Sequence, residues 1–313
     1  MYRTILVPLD ESPLGERALP CAVTLARRCG ARLLLAEVVV ANVELRNDPQ
    51  SGRPYFVDLA AQYLAGVAAR VGEGVATETV QLRGDPGAEL VAESWRRGVD
   101  LIAMSTHGRS GLGRWLFGSV AEHVVRHARV PVLLVPATAE PPVDRSGPAA
   151  PAGDRAPRVL VALDGSEHAR AAVGPASELA TALGASLHLL RVVVPTVPAA
   201  WAVAGLGAWG LGALPPVSVY EYDPTAELTA ARDDLEPVAA GLRSQGHEVQ
   251  VAVEMGPAAA TILDYAREQG MDALVLATHG RSGLARLVLG SVAYETVRRA
   301  TVPLLLIRPA ALG

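Results

Sequence analysis

Residues 105–120 read STHGRSGLGRWLFGSV and residues 277–292 read ATHGRSGLARLVLGSV, and eleven of these 16 positions are identical at an offset of 172. Upstream, Ile5-Leu6-Val7-Pro8-Leu9-Asp10-Glu11-Ser12 matches Val159-Leu160-Val161-Ala162-Leu163-Asp164-Gly165-Ser166 at an offset of 154. Downstream, VPVLLVP (130–136) matches VPLLLIR (302–308), again at 172. The blocks keep their order, which is the signature of a tandem duplication. The two offsets differ by 18, so 18 additional residues lie inside the second copy, around 199–222. Residues 138–157 are rich in Pro, Ala, Gly and Asp and show no apolar period, which is linker chemistry. The predicted domains are therefore 1–137 and 158–310.

Within the first copy, short apolar and β-branched runs fall at about 3–9, 31–40, 75–82, 99–104 and 130–135. Helical periods lie between them, at about 13–29, 55–71, 86–97 and 118–128. Strands apolar on both faces and separated by helices predict a parallel sheet covered on two sides. The fold class is thus α/β: two tandem Rossmann-like domains, each a five-stranded parallel sheet with helices on both faces. Pro20 and Pro175 lie in the first helical period of each copy and predict a kink there. In such sheets the ligand crevice lies outside the carboxyl ends of the strands, where the winding reverses. With five units that point falls between the first and fourth strands. The duplicated blocks sit there: Asp10 and Asp164 after the first strand, the THGRSG loop after the fourth.

Composition removes much chemistry. The chain has 313 residues, 50% hydrophobic and 19% charged, enough to give each half a core. All 28 basic Lys+Arg residues are arginine. Without a lysine, P-loop NTPases, protein kinases and Schiff-base enzymes are excluded. A net charge of −4 speaks against nucleic acid or an anionic membrane as partner. Cys21 and Cys29, eight apart, fit neither a zinc pattern nor a disulfide framework and read as structural thiols. No other His/Cys cluster predicts a metal site. The opening Met1-Tyr2-Arg3 runs directly into a strand without an apolar leader, which predicts a cytoplasmic location.

The repeated loop has anion-binding chemistry. Gly108, Gly111, Gly113 and Gly118 allow backbone amides to approach a ligand, and a helix beginning at about Gly118 would present unpaired N–H groups. Residues 104–129 carry four arginines against Glu122 alone, and residues 277–300 carry four against Glu295 alone. Glycines marking a long loop and arginines solvating a helix would produce the same pattern.

These residues are also the point of resemblance to a family. The sequence resembles a tandem universal stress protein over both halves, with adenine nucleotide alpha hydrolase-like domains. That family's nucleotide signature, G-x2-G-x9-G-[S/T], is present as Ser105-x2-Gly108-x9-Gly118-Ser119 and Ala277-x2-Gly280-x9-Gly290-Ser291. The first glycine is replaced by another small residue in both copies. The resemblance implies ATP as ligand, in one or both halves, with Mg2+ as an optional companion. It also implies that Asp10 and Asp164 lie by the adenosine, that Val38 and Val192 lie against the base, and that Gly108, Gly118 and Ser119 hold ribose and phosphates. Gly280, Gly290 and Ser291 are the second-copy counterparts. Pro8, His107 and Arg109, with Ala162, His279 and Arg281, complete the candidate nucleotide-binding set. Pairing of such domains through the last strand is likewise implied, here between the two halves of one chain, with a further homodimer as an option.

Read without the family, Asp10 and Asp164 could accept from a sugar or base, or cap the following helix with Ser12 or Ser166. His107 and His279 read as loop-bracing rather than catalytic, because neither has an evident nucleophile partner. Trp115 reads as packing. The apolar stretch 199–214, at 16 residues, is shorter than the ~20 needed for a membrane span. It reads as a flap or cover, or else as a docking surface. The leading functional expectation is a nucleotide-dependent regulatory module of the stress response with an unidentified protein partner. The alternative is a slow ATPase or a phosphoryl or adenylyl transferase. Response-regulator receivers, which need a lysine after the fifth strand, and pyrophosphatases with an SGG-x-DS loop do not fit this sequence.

Overall fold

The computed structural model describes residues 1–40, 55–106, 118–139, 155–195, 224–278 and 289–309, with backbone only for 55–58. The apolar insert, most of the linker and the body of each repeated loop lie outside the described residues, among them His107, Gly108, Arg109, Trp115, His279, Gly280 and Arg281.

In the first half the order is β1 (Thr4–Leu9), a 3-10 turn (Gly15–Ala18), α1 (Leu19–Cys29), β2 (Arg32–Val39), α2 (Tyr55–Val71) and β3 (Thr77–Arg83). It continues with α3 (Pro86–Arg96), β4 (Leu101–Ser105), α4 (Ser119–His127) and β5 (Val132–Val135). The second half has β6 (Arg158–Ala162), α5 (Glu167–Arg170), α6 (Val173–Leu183), β7 (Ser186–Val193), α7 (Thr225–Ser244) and β8 (Val249–Met255). It ends with α8 (Ala258–Glu268), β9 (Ala273–Ala277), α9 (Ser291–Arg299) and β10 (Leu304–Ile307).

Each half orders its strands third, second, first, fourth, fifth, all parallel. The second half repeats this as β8-β7-β6-β9-β10. β5 and β10 meet antiparallel, with Leu133 opposite Leu305, and the result is one ten-stranded sheet. Alternation along each strand divides the core between two faces. Ile5, Val7 and Leu9 face α1 and α2, whereas Leu6 faces α3 and α4. The second half matches, with α6 and α7 on one face and α8 and α9 on the other. Both apolar layers therefore run through both halves. Among the described residues no helix is long and apolar enough to cross a membrane.

The prolines act differently from the expected kink. Pro20 sits in the first turn of α1, and Pro175 is the third residue of α6. In both halves the helical segment breaks ahead of the proline, into a short turn and a separate helix. Proline is tolerated in the first turn because the amide hydrogen it lacks has no intrahelical acceptor there. Of the two thiols, Cys21 is buried, which pushes it up to about 12, whereas Cys29 is half-buried at the end of α1. A second duplicated acid, which the sequence reading passed over, is structural. Asp100 Oδ2 accepts from the amides of Arg3 and Thr4, each at 2.9 Å, and Asp272 Oδ2 accepts from Arg158 at 2.8 Å. These contacts tie the starts of the first and fourth strands together, at the opposite end of the sheet from Asp10.

Candidate functional site

At the end of β1 the chain turns through Glu11, whose φ is +61°. This lets Asp10 reach forward: its Oδ1 accepts from the Ser12 amide at 3.2 Å and the Ser12 hydroxyl at 2.6 Å. Ser12 Oγ in turn accepts from the Gly15 amide at 2.9 Å. The second half repeats the device, with Asp164 Oδ1 accepting from Ser166 N (2.9 Å) and Oγ (2.5 Å), and Ser166 Oγ accepting from Ala169 N (3.1 Å). In the second half the serine is the N-cap of α5, and in both halves the aspartate holds the serine while the same carboxylate also lines a cavity. At the turn itself the second half has Gly165, with φ at +81°. The space a Cβ would take is filled by the Arg191 guanidinium, which pairs with Asp234 at 2.5 Å. Gly165→Ala is expected to cost about 1–3 kcal/mol, through left-handed strain and displacement of Arg191, read as a lower unfolding midpoint in denaturant.

The repeated loop is closed by one residue. Thr106 donates its amide to the Val135 carbonyl (3.1 Å), and its own carbonyl accepts from the Gly118 amide (3.0 Å). Thr278 makes the same two bonds with Ile307 and Gly290, both at 2.8 Å. The loop thus leaves and returns at the end of the fourth strand and delivers Gly118 and Gly290 as the N-caps of α4 and α9. A glycine there brings no side chain to cap the first-turn amides, and the positive end of the helix dipole faces the crevice.

A cavity of about 290 Å³ opens in each half between these features. In the first half Pro8, Asp10, Val38, Ser105, Gly118 and Ser119 line it. In the second half Ala162, Asp164, Val192, Ala277, Gly290 and Ser291 do so. Every described member of the candidate set is therefore at a cavity wall. The sequence reading missed further wall residues, among them Ala36, Pro86, Leu90, Met104 and Thr106 in one half, and Leu190, Ala258, Ile262, Leu276 and Thr278 in the other. The signal was available, since each of these pairs is related by one of the two offsets, 154 or 172. Both cavities combine apolar walls with one carboxylate and the N-terminus of α4 or α9, which suits a flat apolar ring carrying an anionic tail.

The comparisons agree with this architecture. The model of the universal stress protein family matches residues 1–136 and 156–308, and the chain belongs to that family. A universal stress protein of Methanocaldococcus jannaschii is 30% identical over 140 residues, covering 43% of this chain and 82% of that one. YxiE, a universal stress protein of Bacillus subtilis, is 29% identical over 153 residues, covering 43% of this chain and 99% of its own length. Among solved structures, a universal stress protein from Archaeoglobus fulgidus superposes with a TM-score of 0.70 at 23% identity, covering 98% of both chains. This last likeness concerns the fold.

Proposed function

We propose that each half binds adenine nucleotide, with ATP as the ligand, and that occupancy switches the protein between partner-binding states in a cytoplasmic stress response. The observation that carries this reading is the twofold recurrence of one constellation: an apolar slot, an aspartate at the end of the first strand, and a helix that starts on Gly-Ser with no side-chain cap. In this reading the base lies against Val38 or Val192 and the adenosine is held by Asp10 or Asp164. The phosphates meet Gly118-Ser119 or Gly290-Ser291, with Gly108, Arg109, Gly280 and Arg281 of the loops completing the cradle. Pro8, Ser105 and His107 frame the first site, and Ala162, Ala277 and His279 the second. The antiparallel pairing of β5 with β10 supports intramolecular pairing of the halves.

Calorimetric titration of nucleotide-stripped protein with Mg·ATP, repeated with EDTA in place of Mg2+, tests the proposal. About two nucleotides per chain are expected, because both cavities keep the same wall chemistry. Absence of heat together with no displacement of a fluorescent ATP analogue would overturn it.

A further inference from the structure

We propose that His123 and His127 form a two-histidine site for a divalent transition cation of the Zn2+, Ni2+ or Cu2+ class, present in the first half alone. The two residues stand one turn apart on α4, so they share a face of the helix. Their rings stack with centroids 4.2 Å apart and planes 28° from parallel. Two nitrogens on one tetrahedral zinc, with bonds of 2.0–2.1 Å, stand roughly 3.3 Å apart. With the planes only 28° from parallel the in-plane lone pairs do not converge, so chelation turns the His123 ring out of the stack until one of its nitrogens stands at that distance from His127 Nε2.

Packing places the His123 side chain, and a hydrogen bond orients the His127 ring. Gly87 of α3 leaves the space that His123 fills, since a Cβ at position 87 would lie 2.6 Å from His123 Cγ. His127 Nδ1 lies 2.8 Å from the His123 carbonyl oxygen. A carbonyl only accepts, so Nδ1 of the neutral ring carries the proton and Nε2 keeps its lone pair for a metal. The neighbouring cations are already engaged: Arg126 pairs with Glu122, and Arg129 lies over the Trp95 ring at 3.7 Å. The pair sits at the carboxyl end of α4, where the helix dipole favours positive charge. Imidazole ligands select this cation class over Mg2+ or Ca2+. Among the described residues no group of three or more His, Cys, Asp or Glu converges, so the described site offers two protein ligands.

The second half shows what the same positions hold otherwise. At the offset of 172 they are Glu295 and Arg299, an i,i+4 ion pair at 3.6 Å. The first turn of α4 lines the first cavity, about 12 Å along the helix from His127 at 1.5 Å per residue. A cation would thus act on the first half without a counterpart in the second.

The test is titration of the full untagged chain with Cu2+ or Ni2+ at pH 7.5 by calorimetry, with the Cu2+ complex read by electron paramagnetic resonance. One site per chain is expected, weakened at least tenfold in His127→Gln and absent in the double variant His123→Glu/His127→Arg. That double variant copies the ion pair of α9 and keeps the helix intact by circular dichroism. The Cu2+ spectrum is expected to show two equatorial nitrogens. Wild-type affinity in the double variant, a single-nitrogen spectrum, or no binding would overturn the proposal. If the double variant fails to fold, His127→Gln and the nitrogen count decide by themselves.

Discussion

Gly118→Asp is expected to lower nucleotide affinity in the first half at least a hundredfold while leaving the fold as stable as before or slightly more so. Gly118 is the N-cap of α4 with φ −62° and ψ 139°, an extended conformation that any residue adopts. Aspartate is among the best N-caps, and replacing glycine by it there is worth a few tenths of a kcal/mol. The same carboxylate would accept from the first-turn amides and place a negative charge on the cavity wall where the phosphates are proposed to sit. A hundredfold loss corresponds to about 2.7 kcal/mol at 1.36 kcal/mol per decade. The opposite signs separate a binding role from a structural one. Calorimetry should show one nucleotide per chain for Gly118→Asp or Gly290→Asp, and none for the double variant, with melting temperatures unchanged or raised. Unchanged stoichiometry in both single variants would place the ligand elsewhere.

His188→Leu is expected to stabilise the second half and flatten its response to acid. His188 lies on β7, 1% exposed, with its Nδ1 a long 3.5 Å from the Tyr265 hydroxyl. Its Nε2 is buried and has no partner among the described residues. Leaving a buried polar atom unpaired costs about 1–3 kcal/mol. The first half carries Leu34 at the corresponding position, 0–2% exposed like its neighbours, so the layer accommodates leucine there. Burial, then the charge of Arg158, lowers the pKa of His188, with Glu248 opposing and Arg155 adding to the shift. The native state therefore resists a proton that the unfolded chain accepts below about pH 6.5. Above that pH the ring is neutral in both states and adds no pH dependence. Stability is lost as pH falls from about 6.5 toward the lowered native value. Thermal melts between pH 7.5 and 5.0 should show the wild type declining through this window more steeply than His188→Leu. The variant should melt a few degrees higher at neutral pH. A parallel decline in both proteins would assign the acid response to other groups.

Much of the fold was legible because the chain states it twice. Periods of 2 and 3.6 residues are local properties, and each element predicted from one copy could be checked against the other. The candidate residues at the carboxyl ends of β1 and β4 were found for the same reason: the blocks that repeat best coincide with the topological switch point. The aspartate question was less tractable. Choosing between ligand acceptor and helix cap needed the serine's position, and the structure gives Asp10 Oδ1 to Ser12 while keeping the side chain on the cavity wall. Pro20 and Pro175 were misread as kinks because a helical period continues through a break when the pieces on either side bury the same face.

By itself the sequence determined the duplication, the five strands per half, the alternation with helices and the absence of lysine chemistry, all of which are carried by residue type and spacing. Only the tertiary structure decided the matters that depend on partners distant along the chain. It set the direction and register of β5 against β10, with Leu133 opposite Leu305, assigned Asp100 to the strand starts rather than to a site, and made His188 a buried residue where its counterpart is leucine. It also stacked His123 on His127 against Gly87. Such contacts arise when layers pack at close to crystalline density, and no local pattern encodes which two surfaces will meet.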